Sequence, residues 1–294
     1  MKSVPDFLNL LKSLEDELLA NWKQKKFSQE EFTSLSTALF NKHQVGDHFN
    51  LEDFLSFIIK TKNHPDIHHY DLNFTENIHF TILRNKHFFI DLYSWATHTE
   101  IHSHNFSGCF QILKGRFAQS YYGFQKDRQG ANWAEGNLKL KKREVLSVNS
   151  TYSIEEGEKF IHQVFHLDNP SVSLCIRTPD THDKYFSYFY PGFRLNDTTF
   201  VRPEYLRIKA FSQYCQIQKG YSSKIAIELI QGLKPSRLMY EYLQGLKTIR
   251  VQPNIKVFLE KEIEKHFKKS IGIDLKELRK KHLIHITKLE MSSL

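Results

Sequence analysis

Thr99-Glu-Ile-His-Ser-His-Asn-Phe-Ser-Gly-Cys-Phe-Gln-Ile-Leu-Lys-Gly115 is the stretch on which the reading of this chain turns. His102 and His104 stand two apart. On a β-strand, residues i and i+2 point to the same face. A short strand here would present two imidazoles side by side, as a metal ion requires of a rigid scaffold. The apolar run that follows reads as a second strand, with Gly115 where a turn should come. A further ligand must come from elsewhere in the sheet. His162 qualifies, because it follows Gly157 by five residues and opens the run HQVFHL. An H-x-H pair taken alone fits a polar strand face equally well. The apolar β-surroundings and the third histidine behind a glycine-containing turn favour ligands.

Outward from this segment the pattern is of short strands. HFTILR, HFFIDLYSW, CFQILKG, RFAQSYYGF, REVLSV, HQVFHL and SVSLCIRTP are rich in β-branched and aromatic residues. Gly, Asn, Asp and Pro separate many of them, which indicates a β-sandwich or barrel. The flanks read differently. Leu8, Leu11, Leu14, Leu18 and Leu19 recur at helical spacing, and Ser28 with Glu31 forms a capping-box pattern before a second helix. A third helix is expected over 51–59. After Tyr190-Pro191-Gly192 helical patterns return, with Ser236 and Asp274 as expected N-caps. The expected organisation is a helical region over 1–78, a β-barrel over 79–195 and a basic helical region over 196–294.

IHSHNFSGCFQILKG resembles the first motif of the cupins, which runs H-x-H, a spacer, Glu, a longer spacer and Gly. Cys109 replaces the Glu. The second motif is degenerate: Gly157 is present, its Pro is absent, and His166 stands where an Asn is usual. Loss of the Glu to Cys is similar to the thiol dioxygenases of the cysteine dioxygenase type. The Trp-ended run FFIDLYSW, the His162-Gln163-Val164 opening and the segment NPSVSL also match. The resemblance covers about residues 80 to 180. It implies an α+β fold, with a central jelly-roll-like cupin barrel flanked by N-terminal and C-terminal helical regions. It implies a mononuclear non-haem iron(II) dioxygenase, with His102, His104 and His162 as metal ligands. Zinc, nickel, manganese and copper stay open, since imidazole suits several metals. The expected partners are dioxygen and a small anionic substrate, with a thiol as one option. A cupin ligand-binding or sensing protein, and a metal-dependent isomerase or lyase, are the alternatives.

The family carries Ser, His and Tyr at alternate positions of a later strand. Alignment puts Ser173, Cys175 and Arg177 there, so only the Ser is kept. Tyr185, Tyr188 and Tyr190 are the nearby tyrosines that would have to reach Cys109. The resemblance implies Cys109, Ser173 and Arg177 as pocket residues, with Arg177 offering a guanidinium fork to a carboxylate. Gln111 would share the face of Cys109 and bind a ligand. Arg84 matches the family's carboxylate-binding Arg, or else sits at a hairpin tip. Cys109 also fits a small buried hydrophobe. His166 reads as a supporting group or an alternative ligand, and His98 as a rim residue. His68, His69, His282 and His285 read as surface or packing residues.

Composition limits the remaining choices. A chain of 294 residues with 14% aromatic content suits a packed globular protein. Three widely spaced cysteines make no disulfide framework, which points to a reducing, cytoplasmic setting. Glu15, Asp16 and Glu17 interrupt the apolar N-terminus, so it reads as an amphipathic helix and not a secretory signal. No apolar run approaches the ~18 residues of a membrane span. Residues 201–294 hold 19 Lys and Arg against 9 Asp and Glu, a balance of +10, which leaves −2 for the rest of the +8 total. Such a region either contacts nucleic acid or acidic lipid or is a solvated helical surface; the interleaved acids of LEKEIEKHFKKS favour the surface. A homodimer stays open. The sequence has no G-x-G-x-x-G, P-loop, G-x-S-x-G or C-x-x-C motif.

Overall fold

The computed structural model describes residues 3–61, 66–67, 78–96, 98–180, 185–196, 202–218, 221–246, 249, 251–271 and 273–282. Three helices open the chain: α1 (Val4–Gln24), α2 (Gln29–His43) and α3 (Leu51–Lys60). Twelve strands follow among the described residues. They are β1 (Asp66–Ile67), β2 (Ile78–Arg84), β3 (Phe89–Trp95), β4 (Ile101–His102), β5 (Gly108–Lys114), β6 (Phe117–Gln129), β7 (Trp133–Leu146), β8 (Thr151–Ile154), β9 (Ile161–His166), β10 (Ser171–Arg177), β11 (Phe186–Phe189) and β12 (Phe193–Asn196). Then come α4 (Arg202–Ile217), α5 (Ser223–Gly232), α6 (Pro235–Leu243) and α7 (Pro253–Ile271). One sheet has the order β1-β2-β3-β10-β5-β8, and β11-β12-β7-β6-β9-β4 form a closed barrel. This is the α+β class expected, with helices, then a closed β-barrel, then helices in chain order.

By its contacts the chain divides into two compact units, Met1–Gly123 with Leu140–Lys184 and Phe124–Lys139 with Tyr185–Leu294.

In the first unit, β10 lies between β3 and β5, antiparallel to both. Val172, Leu174 and Ile176 share a core with Phe7, Leu11, Leu14, Leu18 and Trp22 of α1 and with Phe32, Leu39 and Phe40 of α2. Each such side chain contributes about 1.5–3 kcal/mol on burial. Most helical stability in proteins comes from packing an apolar face, so docking on the sheet holds these helices. The other face of β5 and β10 builds a second core, with Phe110, Ile112 and Cys175, joined by Val164 of β9. That face is the interior of the fold. The expected turns are present: Gly115 (φ +81°) ends β5, and Gly157 (φ +70°) precedes β9, both in a backbone region that favours glycine.

Two capping expectations need correction. Ser28 is the N-cap of α2 but makes no side-chain cap bond. Ser236 lies inside α6, which starts at Pro235 because proline suits the first helical turn. At the expected cap Asp274, Oδ1 accepts from the Glu277 N–H at 3.0 Å. In the second unit β12 pairs with both β11 and the outer part of β7. Ile255, Leu259, Ile263 and Phe267 of α7 are buried at i, i+4 spacing, while Lys261, Lys265, Lys268 and Lys269 are exposed. No helix among the described residues is long and apolar enough to cross a membrane.

Candidate metal centre

His102 ends β4 and is the direct partner of His162 on β9. Cross-strand partners share a face, so both rings enter the interior. β4 stops there, and His104 is carried beyond the strand by a bridge to Glu156. The Gly157 N–H donates to the His104 carbonyl at 2.8 Å, which anchors that turn. The His162 Nε2 lies 2.9 Å from the His104 Nε2 and 3.3 Å from the His102 Nε2. The candidate ligand atoms all fall within 4.8 Å of one another. An ion about 2.0–2.1 Å from each nitrogen sets nitrogen–nitrogen edges of about 2.9–3.4 Å for right-angle to tetrahedral geometry. The two His162 edges lie on that range, and the three imidazoles form a group that could hold a divalent metal.

The protonation states also fit. Burial holds the His102 imidazole below its ordinary pKa. Burial and then the neighbouring rings hold His162 well below, and burial, His102 and Arg177 do so for His104. All three are therefore neutral, the form that ligates a metal. His102 Nδ1 lies 2.9 Å from the Glu100 carbonyl, so Nδ1–H donates there. That bond leaves the Nε2 lone pair facing the other two rings.

Aromatic rings surround the centre. Phe106 packs on His104 at 4.6 Å between ring centroids, and Phe160 on His162 at 4.6 Å. Tyr121 on β6 pairs with His162, and its ring lies 5.7 Å from Phe160. Tyr152 and Tyr121 lie beside Glu144, whose Oε2 is 2.6 Å from the Lys142 Nζ. Burial alone would raise the Glu144 carboxyl, but Lys142 and the neighbouring Tyr152 and Tyr121 side chains outweigh it and hold it low. Burial and the bond to Glu144 push Tyr152 up to about 12.

The other expected site residues divide by strand face. Arg177 and Ser173 are buried on the interior face of β10. Arg177 lies between the Phe89 and Phe106 rings, 4.9 and 5.2 Å from their centroids. Its Nε donates to Asp91 Oδ2 at 2.5 Å and its Nη1 to Asp180 Oδ1 at 2.8 Å. Ser173 accepts from the Trp95 indole at 3.0 Å.

Cys109 and Gln111 do not face the metal centre. Cys109 belongs to the core under the helices, hydrogen-bonded to Ser36 and Thr37. Gln111 donates to the Phe40 carbonyl at 3.0 Å and to Thr151 Oγ1 at 2.8 Å. Both are odd-numbered on β5, whose even residues Phe110 and Ile112 face the interior. The structure therefore gives Cys109 and Gln111 structural positions in place of the expected pocket positions. Arg84 takes the hairpin alternative, paired with Phe89 across the β2–β3 turn. It is exposed at the end of β2, stacked on Phe89 at 5.1 Å. His166 is not among the clustered ligand atoms: its Nδ1 is 2.7 Å from Ser171 Oγ, and its ring stacks on Trp95 at 5.0 Å. His98 is exposed, and its Nδ1 accepts from the His166 N–H.

Tyr188 is buried in the second unit against Phe124. His282 packs on Phe189 there, and His68, His69 and His285 lie outside the described residues. Sequence reasoning did not single out Phe106, Asp91, Tyr121, Glu144, Tyr152 or Phe160. The alternation Phe117, Gln119, Tyr121 on β6 was the available signal for one of them.

No family model matches the chain, and no curated protein sequence matches it. Solved structures do match in part. The DMSP lyases RdDddP and RnDddQII match at 12% identity over 35% of this chain and 47% of theirs, with a TM-score of 0.25. A cupin-2 domain protein from Rhodospirillum rubrum matches at 13% identity over 36% of this chain and 62% of its own, TM-score 0.25. Hydroquinone 1,2-dioxygenase from Sphingomonas sp. TTNP3 matches at 11% identity over 34% of this chain and 65% of its own, TM-score 0.27. The chain thus spans about half to two thirds of the length of these structures.

Proposed function

We propose that this protein is a mononuclear metal enzyme, an iron(II) dioxygenase acting on a small anionic substrate. The observation that carries the reading is the convergence of three neutral imidazoles, with nitrogen–nitrogen distances of 2.9 and 3.3 Å. Neutral imidazoles leave the full charge of a divalent ion uncompensated. Such a centre suits an anionic ligand better than one that already holds a carboxylate. Bound there, iron(II) would supply Lewis acidity and one-electron chemistry toward dioxygen.

The protein's own residues would do the rest. Phe106 and Phe160 exclude water beside the ligands, which strengthens electrostatic interactions with a charged substrate. Asp91 holds Arg177 by its Nε. The Arg177 Nη1 partner, Asp180, is 45% exposed at its side chain, so a substrate carboxylate competes with Asp180 for that nitrogen. With Cys109 on the other strand face, nothing at the site demands that the substrate be cysteine; a thiol is one member of the anionic class.

A metal-dependent isomerase or lyase is the second reading. The Glu144 carboxylate between Tyr121 and Tyr152 favours it, because it provides groups that handle protons without a redox step. One experiment separates the readings. Purified protein is analysed for metal, then titrated anaerobically with small thiols and carboxylates, and oxygen uptake is followed. Stoichiometric iron with ligand-dependent oxygen uptake supports the dioxygenase. Bound metal without oxygen uptake points to the second reading, and protein that retains no divalent metal overturns both.

A further inference from the structure

Gln119 is fully buried, at 0% exposure, on the interior face of β6. Its strand partner is Val164, a member of the interior core. Two residues on, Tyr121 pairs with the ligand His162; two residues back, Phe117 pairs with His166. The Gln119 amide therefore occupies the row next to the metal ligands. Its neighbour Val164 offers it no polar side chain. Neither its Nε2 nor its Oε1 has a hydrogen-bond partner among the described residues. A buried amide without partners opposes folding. Leucine or methionine would fill the same volume beside Val164 without that burden. A residue that weakens the fold at a site beside the ligands is best explained by what binds there.

We infer that Gln119 is a substrate-positioning residue. Its free donor and free acceptor would together take a substrate group that both accepts and donates, such as a hydroxyl or a carboxamide. Resting on the metal reading above, this narrows the substrate class to a small carboxylate that carries a second, neutral polar group. The carboxylate goes to the cationic centre or Arg177, and the neutral group to Gln119. A site built this way rejects the analogue lacking the polar group, because the amide is then left unpaired again.

The test uses wild type and Gln119→Leu, both loaded with Co(II), with two isosteric pairs as probes: lactate against isobutyrate, and malonamate against isovalerate. Binding is read from the visible spectrum of the cobalt. Wild type should prefer the polar member of at least one pair by about 10-fold or more, and Gln119→Leu should lose that preference. Equal preference in the two proteins, or binding of none of the four anions, overturns the inference. Thermal melting of both proteins without metal gives a second readout. Gln119→Leu should melt at or above the wild-type temperature. A clear drop would mean that Gln119 is a structural residue and would also overturn the inference. Failure of the metal reading shows separately, as wild type that takes up no Co(II). The melting comparison then decides Gln119 alone.

Discussion

His102 and His162, sixty residues apart in sequence, are direct cross-strand partners with their Nε2 atoms 3.3 Å apart. The antiparallel register of β4 and β9 sets this distance, so the metal centre is a property of strand pairing. Replacing His102 should leave that pairing intact and remove one ligand. His102→Ala should lower metal affinity by more than the roughly 10–100-fold that loss of a supporting hydrogen bond costs. Metal analysis after gel filtration checks this. Stoichiometric iron retained by the variant would sink the ligand assignment.

Asp91 and Arg177 form a buried ion pair, with side chains 0% and 6% exposed. Burial pushes the Asp91 carboxyl up, but hydrogen bonding from His79 and the charges of Arg177 and His79 prevail and hold it below its ordinary range. Asp91→Ala leaves Arg177 with only the half-exposed Asp180. It should cost about 3–5 kcal/mol, while Asp91→Leu with Arg177→Met should recover most of that loss. Urea denaturation of the three proteins measures both. A single-variant cost under about 1 kcal/mol would place the pair with ordinary surface bridges.

His166 is held down to about 3, by burial first and by His98 second. Its unfolded value is about 6.5. Between those values the unfolded chain binds the proton and the folded chain does not. Stability from the neutral ring is therefore complete above pH ~6.5 and is lost as pH falls toward 3. His166→Phe should flatten the stability profile over that window by about one proton, or about 1.4 kcal/mol per pH unit. Urea midpoints between pH 4 and 7 test this. An unchanged slope would mean that His166 is already charged when folded.

Cys109 is fully buried under α2, and burial pushes its thiol up to about 12. A thiolate is the reactive form, so native Cys109 should resist thiol reagents and react once the chain unfolds. Cys109→Ala should cost about 1 kcal/mol, typical of a point substitution, and leave metal stoichiometry unchanged. Peptide mapping after labelling gives the first result and metal analysis the second. Loss of metal in this variant would contradict the strand-face assignment.

Much of the architecture was legible because it rests on local period. The runs HFTILR, CFQILKG and SVSLCIRTP are strands β2, β5 and β10 with small shifts at their ends. The leucines of α1 announced its buried stripe. Facing was harder to read on β5 and β10, which are buried on both sides. Alternation then sorts residues into two sets, and both sets are apolar. The break between His104 and β5 resets the alternation, and Cys109 falls on the helix side with Gln111, while Phe110 and Ile112 face the interior.

The sequence by itself determined the order helices, barrel, helices and the identity of three histidines that fit a metal. Those follow from period, turn residues and the chemistry of imidazole. Only the tertiary structure decided what those histidines meet. The register brought His162 to His102, the sheet set Asp91 against Arg177, and β6 placed Gln119 beside the ligand row. The reason is that a strand's residues are chosen by two neighbouring strands and two faces at once. A single chain records the period of that environment, but not which partner or which face supplies it.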